Sequence, residues 1–341
     1  MNFAVLLAKG KFVDELAGFR REDGPRKEFV EIATALNADV SSYTSAAARR
    51  GSWFTRIFQS RPAWGSAADM ALRIGRYKRV YVTGEEVGFR LALFLALRFS
   101  RERIVCVVHN FTPMWSRVLR VMGHRPFAAL ITVCSTQRQA LIDAGIPPDK
   151  VINVANWIDD KYFSPAFSAD GKSFVASGAE NRDYATLEKA AAQVESDVFV
   201  FGHGFHVSGI AGEAADRNRP KNYHLMPRVP FDELRRYYAE ARAIVVPVND
   251  VSYAAGVTGL VEAMAMGKPV IVSRSRGISD YLDGPLGYVV DVADPQGLAK
   301  AMRETEQRAD LKQIGERNRE WAVQNCSLDG YVARIADIMR K

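Results

Sequence analysis

The stretch Tyr253-Ala254-Ala255-Gly256-Val257-Thr258-Gly259-Leu260-Val261-Glu262-Ala263-Met264-Ala265-Met266-Gly267-Lys268-Pro269-Val270-Ile271 decides how this chain is read. It runs from a polar strand end through a glycine-containing turn into a short helix from about Thr258, with Gly267 as the stop before a new apolar strand. The first amides of such a helix have no partner within it and sit at the positive end of its dipole, so they form a cradle for a diphosphate. Gly256 lets the phosphate approach. Glu262 lies one turn inside the helix on the face of Thr258, four residues earlier. A carboxylate so close to phosphate makes sense when ribose hydroxyls donate to it. A nucleotide sugar offers both groups. The alternative for Glu262 is a helix-surface carboxylate paired with a nearby cation.

On either side of this stretch, short β-rich runs alternate with longer amphipathic segments, the pattern of parallel sheets covered by helices. Val80 to Val82, Ile104 to Val108, Leu130 to Val133 and Val151 to Val154 are the strands expected in the first half. Phe174 to Ala176, Val198 to Phe201, Tyr223 to Leu225, Ala243 to Pro247, Pro269 to Ser273 and Gly287 to Val290 follow in the second. Helical segments such as Tyr184 to Gln193, Phe231 to Ala241 and Gly259 to Met266 separate them. The fold class expected is α/β, two Rossmann-like units in tandem. The strand pattern stops at Asn156-Trp157-Ile158-Asp159 and Pro165 discourages helix, which places the first domain at 1–160 and the second at 161–318.

A chain of 341 residues suits two cores. Its 48% hydrophobic and 25% charged residues are ordinary for a globular protein. Met1 to Ala8 is too short for a signal-peptide core and reads as a buried strand, so a cytoplasmic location is expected. Val87 to Phe99 is interrupted by Arg90 and Arg98 and reads as a core helix, not a membrane span. Cys106, Cys134 and Cys326 are scattered and suggest reduced, buried thiols. Charge is uneven: residues 1–160 hold 23 Lys/Arg against 15 Asp/Glu, and the remainder 23 against 24. Residues 49–125 alone hold 15 basic and 4 acidic side chains, a surface for anionic headgroups, nucleic acid or phosphorylated substrates. Within it Arg49 to Trp64 mixes aromatics with arginines and is either a membrane-surface element or an ordinary insertion.

The Tyr253–Ile271 stretch resembles the donor-binding signature of the retaining GT-B glycosyltransferases, especially glycosyltransferase family 4. Thr132 to Leu141, Gly145 to Val151, Asn156 to Asp159 and Phe163 to Pro165 resemble that family's passage between its domains. Val229 to Leu234, with Tyr237 to Ala241, resembles the helix before the donor-site strand. The resemblance covers roughly residues 104–300 and implies a GT-B architecture, two Rossmann-like domains facing across a cleft, with a C-terminal helix at 319–341 able to return to the first domain. It implies a ribose-binding role for Glu262 and diphosphate contacts from Gly256, Val257 and Thr258. Arg182, in a loop opened by Gly178, stands where the family places a basic residue against the diphosphate; a solvated arginine or a partner of Asp183 is the alternative. Gly202, with His203 and Gly204, and Arg228 with Val229 would flank the nucleobase. Gly10 either approaches the donor phosphates or forms a plain turn.

Two positions depart from the family pattern. Ala179 stands near the expected arginine, and Ala254 replaces a glutamate that usually lies eight residues before Glu262. His109, directly after the Ile104 to Val108 strand, is expected at the carboxyl end of the first sheet. There it binds a donor-sugar hydroxyl or orients the acceptor; a strand-end histidine bonded to local backbone is the alternative. His203, His206 and His224 suggest no metal geometry. With no paired-aspartate metal motif, a reaction needing no metal or other cofactor is expected. The expectation is transfer from a nucleotide sugar to a hydroxyl acceptor, lipid-linked or polysaccharide, with peripheral contact to an anionic membrane on the inner face and no nucleic-acid partner. A sugar-nucleotide epimerase and a non-catalytic nucleotide-sugar-binding partner of another transferase are the alternatives.

Overall fold

The computed structural model describes residues 2–8, 24–43, 45, 61–98, 101–165, 171–202 and 219–341. They form two compact units. One draws its residues from 1–22, 26–155 and 329–341, the other from 23–25 and 156–328.

The first unit is built on a six-stranded parallel sheet of order β2-β1-β3-β4-β5-β6. The strands are β1 (Phe3–Leu6), β2 (Asp39–Ser41), β3 (Arg79–Val82), β4 (Ile104–Val108), β5 (Phe127–Thr132) and β6 (Val151–Asn153). β1, β4 and most of β5 are fully buried apolar runs, as a sheet covered on both faces requires. Its crossovers include α1 (Glu28–Leu36), α2 (Pro62–Arg73), α3 (Glu85–Ala96), α4 (Pro113–Met122) and α5 (Ser135–Asp143). The α4 start is set by Thr112, whose side chain accepts the Trp115 amide, with Pro113 in the first turn where no donor is needed.

The second unit repeats the design with order β12-β11-β10-β7-β8-β9, again all parallel. Its strands are β7 (Ser173–Ser177), β8 (Val198–Phe201), β9 (Tyr223–Leu225), β10 (Ala241–Val246), β11 (Val270–Ser273) and β12 (Gly287–Val290). Its helices are α6 (Tyr184–Ala191), α7 (Phe231–Glu240), α8 (Val257–Ala265), α9 (Pro295–Gln307) and α10 (Leu311–Cys326). Asp183 and Asp294 cap α6 and α9 by accepting amides of Thr186 and Gly297.

The division falls at 155/156, where the sequence placed it at 160, and the return begins at 329 instead of 319. The reason is packing. α10 stays in the second unit because it grips the turn between α8 and β11. Gly315 lies so close to Gly267 that an added Cβ would sit 1.9 Å from its carbonyl oxygen, and Asn318 donates to Lys268 O (2.8 Å) and Leu286 O (2.7 Å). The last helix, α11 (Leu328–Arg340), belongs to the first unit: the Tyr331 hydroxyl meets that of Tyr81 on β3, and Arg79 donates to Ile338 O at 2.6 Å. Among the described residues no helix is long and apolar enough to cross a membrane.

α8 is held at its C-terminal end by two cations, the sign a helix C-terminus favours. Arg319 donates to Ala265 O (2.8 Å) and to Phe163 O (2.9 Å). Lys268, 9% exposed, donates to Ala239 O and to Ala241 O (2.9 Å), tying the α8 turn to the α7–β10 junction. Burial pulls its pKa down from 10.5 to about 8. In the unfolded chain the amine keeps its ordinary value. Between the two values the unfolded state therefore binds the extra proton, and this group's contribution to stability rises with pH. Lys268→Met should lower unfolding free energy by about 1–3 kcal/mol at neutral pH, because two buried carbonyls lose their donor. In denaturant titrations the gap between wild type and variant should widen from pH 8 towards pH 10.

Candidate functional site

In the second sheet successive strands run from β7 outward to β9, and the chain then returns to place β10 on the other side of β7. Such a reversal opens a crevice at the carboxyl ends of the two central strands. Ser177 and Gly178 leave β7 there, and β10 leads through Pro247 and Val248 to α8. A backbone bridge between Arg182 and Val248, and the Asp183 amide bonded to Pro247 O at 2.9 Å, stitch the two exits together.

Arg182 is 5% exposed. Its Nε donates to Ser177 O (3.0 Å) and its Nη1 to Glu180 O (2.8 Å); Nη2 has no acceptor among the described residues. Glycines make room for the guanidinium. Gly178 has φ +100°, and a Cβ there would lie 2.4 Å from Nη2. A Cβ on Gly256 would lie 2.6 Å from Val248 Cγ1 and 3.5 Å from Nη1, and one on Gly259 3.8 Å from Nη2. Gly256, with φ +90°, is the N-cap of α8, so the guanidinium lies beside the amino end of that helix. Both features are positive, and together they favour an anion.

The sequence assigned anion contacts to Gly256, Val257 and Thr258. The structure separates these residues. The Val257 amide turns back to Ala254 O (3.4 Å) and its side chain is buried, whereas the Thr258 and Gly259 amides have no acceptor among the described residues and both residues line the cavity. Thr258 Oγ1 accepts from Asn156 Nδ2 at 3.4 Å.

Glu262 projects into the same cavity although only 7% exposed. The Tyr238 hydroxyl donates to its Oε2 at 3.5 Å and meets Ser177 Oγ at 2.5 Å. Tyr238 is fully buried; burial first and the Glu262 charge second push its pKa well above the ordinary phenol value, so it remains a donor. Neither Tyr238 nor Ser177 stood out in the sequence, because a tyrosine in an amphipathic helix reads as core.

The cavity has a volume of about 970 Å³. Its polar part is Ser177, Arg182, Thr258 and Glu262; its apolar part is Phe201, Val229, Pro230, Phe231 and Leu234, with Arg228 beside them. Arg228 and Val229, which the sequence assigned to a nucleobase, line this cavity, and so does Ala179. Gly202 does not line it: a Cβ there would lie 2.4 Å from the Tyr184 ring, so that glycine serves packing. Gly10, His203, His206 and residues 49–60 lie outside the described residues.

His109 belongs to the first unit, at the carboxyl end of β4. Its amide and that of Asn110 donate to the two oxygens of Glu85 (3.0 and 3.2 Å), and its Nε2 lies 3.2 Å from Thr83 O. A carbonyl only accepts, so Nε2 holds a proton in this contact. The ring itself is exposed. Nearby, burial pushes the Glu28 carboxyl above its ordinary pKa, against the pull of its own helix amides and of His109. Glu85 and Glu28 both open helices and gave no sequence signal beyond the usual acidic first turn.

Residues 172–307 match the family model described as Glycosyl transferases group 1. That match falls wholly within the second unit. The match spans every strand of its sheet, from β7 to β12, and the whole cavity wall. No curated protein matches the chain in sequence. Among solved structures, sucrose-phosphate synthase from Thermosynechococcus elongatus is 15% identical with a TM-score of 0.75, covering 100% of this chain and 98% of that one. HepE from Anabaena in complex with UDP is 15% identical with a TM-score of 0.73 over 100% of both chains. A glycosyltransferase from Rickettsia africae is 13% identical with a TM-score of 0.70, covering 99% and 97%. At such identities the likeness is one of fold, and the fold is GT-B.

In the first unit, outside the matched residues, the His109 turn depends on one carboxylate. Glu85→Ala should release two amides at once. Amide exchange at His109 and Asn110 should quicken by about fivefold or more, the equivalent of one lost hydrogen bond each, while exchange in β1 and β4 stays as it was.

Proposed function

We propose that this protein transfers a sugar from a nucleoside diphosphate sugar to a hydroxyl acceptor, with retention of configuration and without a metal ion. One observation carries the reading: the Arg182 guanidinium and the amino end of α8 meet at a cavity into which the buried Glu262 carboxylate also projects. The first two suit a diphosphate and the third suits ribose hydroxyls. The apolar wall from Val229 to Leu234 suits the base. The family match and the UDP and UDP-glucose complexes of HepE support a nucleotide-sugar donor.

In the proposed reaction the acceptor oxygen bonds to the anomeric carbon as the bond from that carbon to the phosphate oxygen breaks. The electron pair leaves on the diphosphate, and the acceptor proton passes to a phosphate oxygen. Arg182 and the α8 amides neutralise the charge that builds there. His109 binds a hydroxyl of the donor sugar or orients the acceptor. The excess of cations in residues 1–160 supports a lipid-linked acceptor met by peripheral contact with the inner face of the cell membrane. A second reading, a non-catalytic partner that holds a nucleotide sugar, is favoured by Ala179, which lines the cavity where the family's arginine is expected, and by Ala254.

Calorimetric titration with UDP, GDP and ADP tests the donor site. One nucleotide should bind selectively. Glu262→Ala should weaken it by about 1–3 kcal/mol, and Tyr238→Phe, which removes a donor to that carboxylate together with the partner of Ser177 Oγ, by about 1 kcal/mol. A folded protein that binds no nucleotide at millimolar concentration would sink the proposal; tight donor binding without turnover across lipid and oligosaccharide acceptors would favour the second reading.

A further inference from the structure

We infer that the outer face of α4 is the surface by which the first unit docks on an anionic lipid bilayer. This rests on the reading of a membrane-surface acceptor and assigns the contact to one element.

The observation is an apolar exposure that the fold does not use. Trp115 and Leu119 turn inward and are 7% and 1% exposed, whereas Met114 and Val121 are 57% and 91% exposed. Met114, Arg117 and Val121 follow the i, i+3, i+7 spacing of one helix face, with Arg120 exposed beside them. Arg125 is exposed just past the helix end, and residues 112–125 contain no acidic side chain. Apolar side chains bordered by cations on a helix lying flat on its domain are the composition of an interfacial element.

The surroundings fit that role. Arg90 lies over both the Trp115 ring of α4 and the Trp64 ring of α2, 5.4 Å from each centroid, so the start of α2 and the base of α4 share one support. Trp64, the last aromatic of the Arg49 to Trp64 stretch, is therefore tied through Arg90 to α4. Two residues, Phe111 and Thr112, separate α4 from the exposed His109 and Asn110 at the carboxyl edge of the sheet. A bilayer against α4 holds an acceptor headgroup near that edge. Other occupants fit less well. A second copy in two-fold contact would set Arg117 and Arg120 against their own images, and nucleic acid offers no partner to Met114 and Val121.

Flotation with vesicles of phosphatidylcholine alone and of equal parts phosphatidylcholine and phosphatidylglycerol tests this on the full chain. The wild type should float with the acidic vesicles only, and less as salt rises. Arg117→Ala with Arg120→Ala should weaken that binding about thirtyfold, at roughly fivefold for each cation near the surface. Met114→Ser with Val121→Ser should weaken it at high salt as well as low. All four positions are exposed, so melting temperatures and nucleotide binding should stay at wild-type values. A wild type that ignores acidic vesicles overturns both this assignment and the membrane-surface reading. A wild type that floats, with both double variants floating equally, overturns the α4 assignment alone. Self-association abolished by either pair of substitutions, with no flotation, overturns it in favour of an interface between copies.

Discussion

The placement of one guanidinium governs the second unit's site. Arg182 sits beside the amino end of α8, and nothing larger than hydrogen is tolerated at Gly178, while Gly256 is closed by Val246 and Val248 on the other side. Two like-signed features held together in a buried setting repel each other unless something negative lies between them. The arginine is kept in place by carbonyls of its own loop, Ser177 and Glu180, which accept from it without cancelling its charge. The positive end of the cavity is therefore built by the fold itself.

The rest of the unit keeps α8 where that arrangement requires it. Arg319 serves a carbonyl at its C-terminal end, Lys268 ties the turn that follows to the α7–β10 junction, Asn318 bonds that same turn, and Gly315 lets α10 lie directly against Gly267. The Ser177–Tyr238–Glu262 chain fixes the carboxylate from the opposite side. These contacts come from three helices, α7, α8 and α10, and a strand end, so the site is set by the packing of the whole unit and not by one loop. The first unit follows a different economy. Its strand-end turn is held by a single carboxylate, Glu85, and the described surface around it is basic and, on α4, apolar.

Much of this was legible in the sequence. The strands after residue 79 stand out because fully buried parallel strands are unbroken runs of Val, Ile and Phe, and the cavity helix stands out because glycine, a polar turn and a carboxylate follow one another at helical spacing. β2 went unread: Asp39, Val40 and Ser41 are too few and too polar to form a strand pattern, and they pair with β1 only because the fold brings them there. The helix that returns to the first unit was read ten residues early, because α10 and α11 are separated by a single residue, Ser327, and their periodicities run on.

Local pattern by itself determined the α/β class, the tandem organisation and the residues that open α8, since periodicity, glycine and charge act over a few neighbouring positions. The tertiary structure alone decided that Gly259 and not Val257 walls the cavity, that Gly202 is a packing glycine, and that Tyr238 and Glu85 hold the two key groups. It also decided that Met114 and Val121 stay in solvent while Trp115 and Leu119 do not. Each of those outcomes depends on which distant segment comes within a few ångströms, and a hydrogen bond or a close contact between residues 24 or 74 positions apart leaves no trace in the spacing of either.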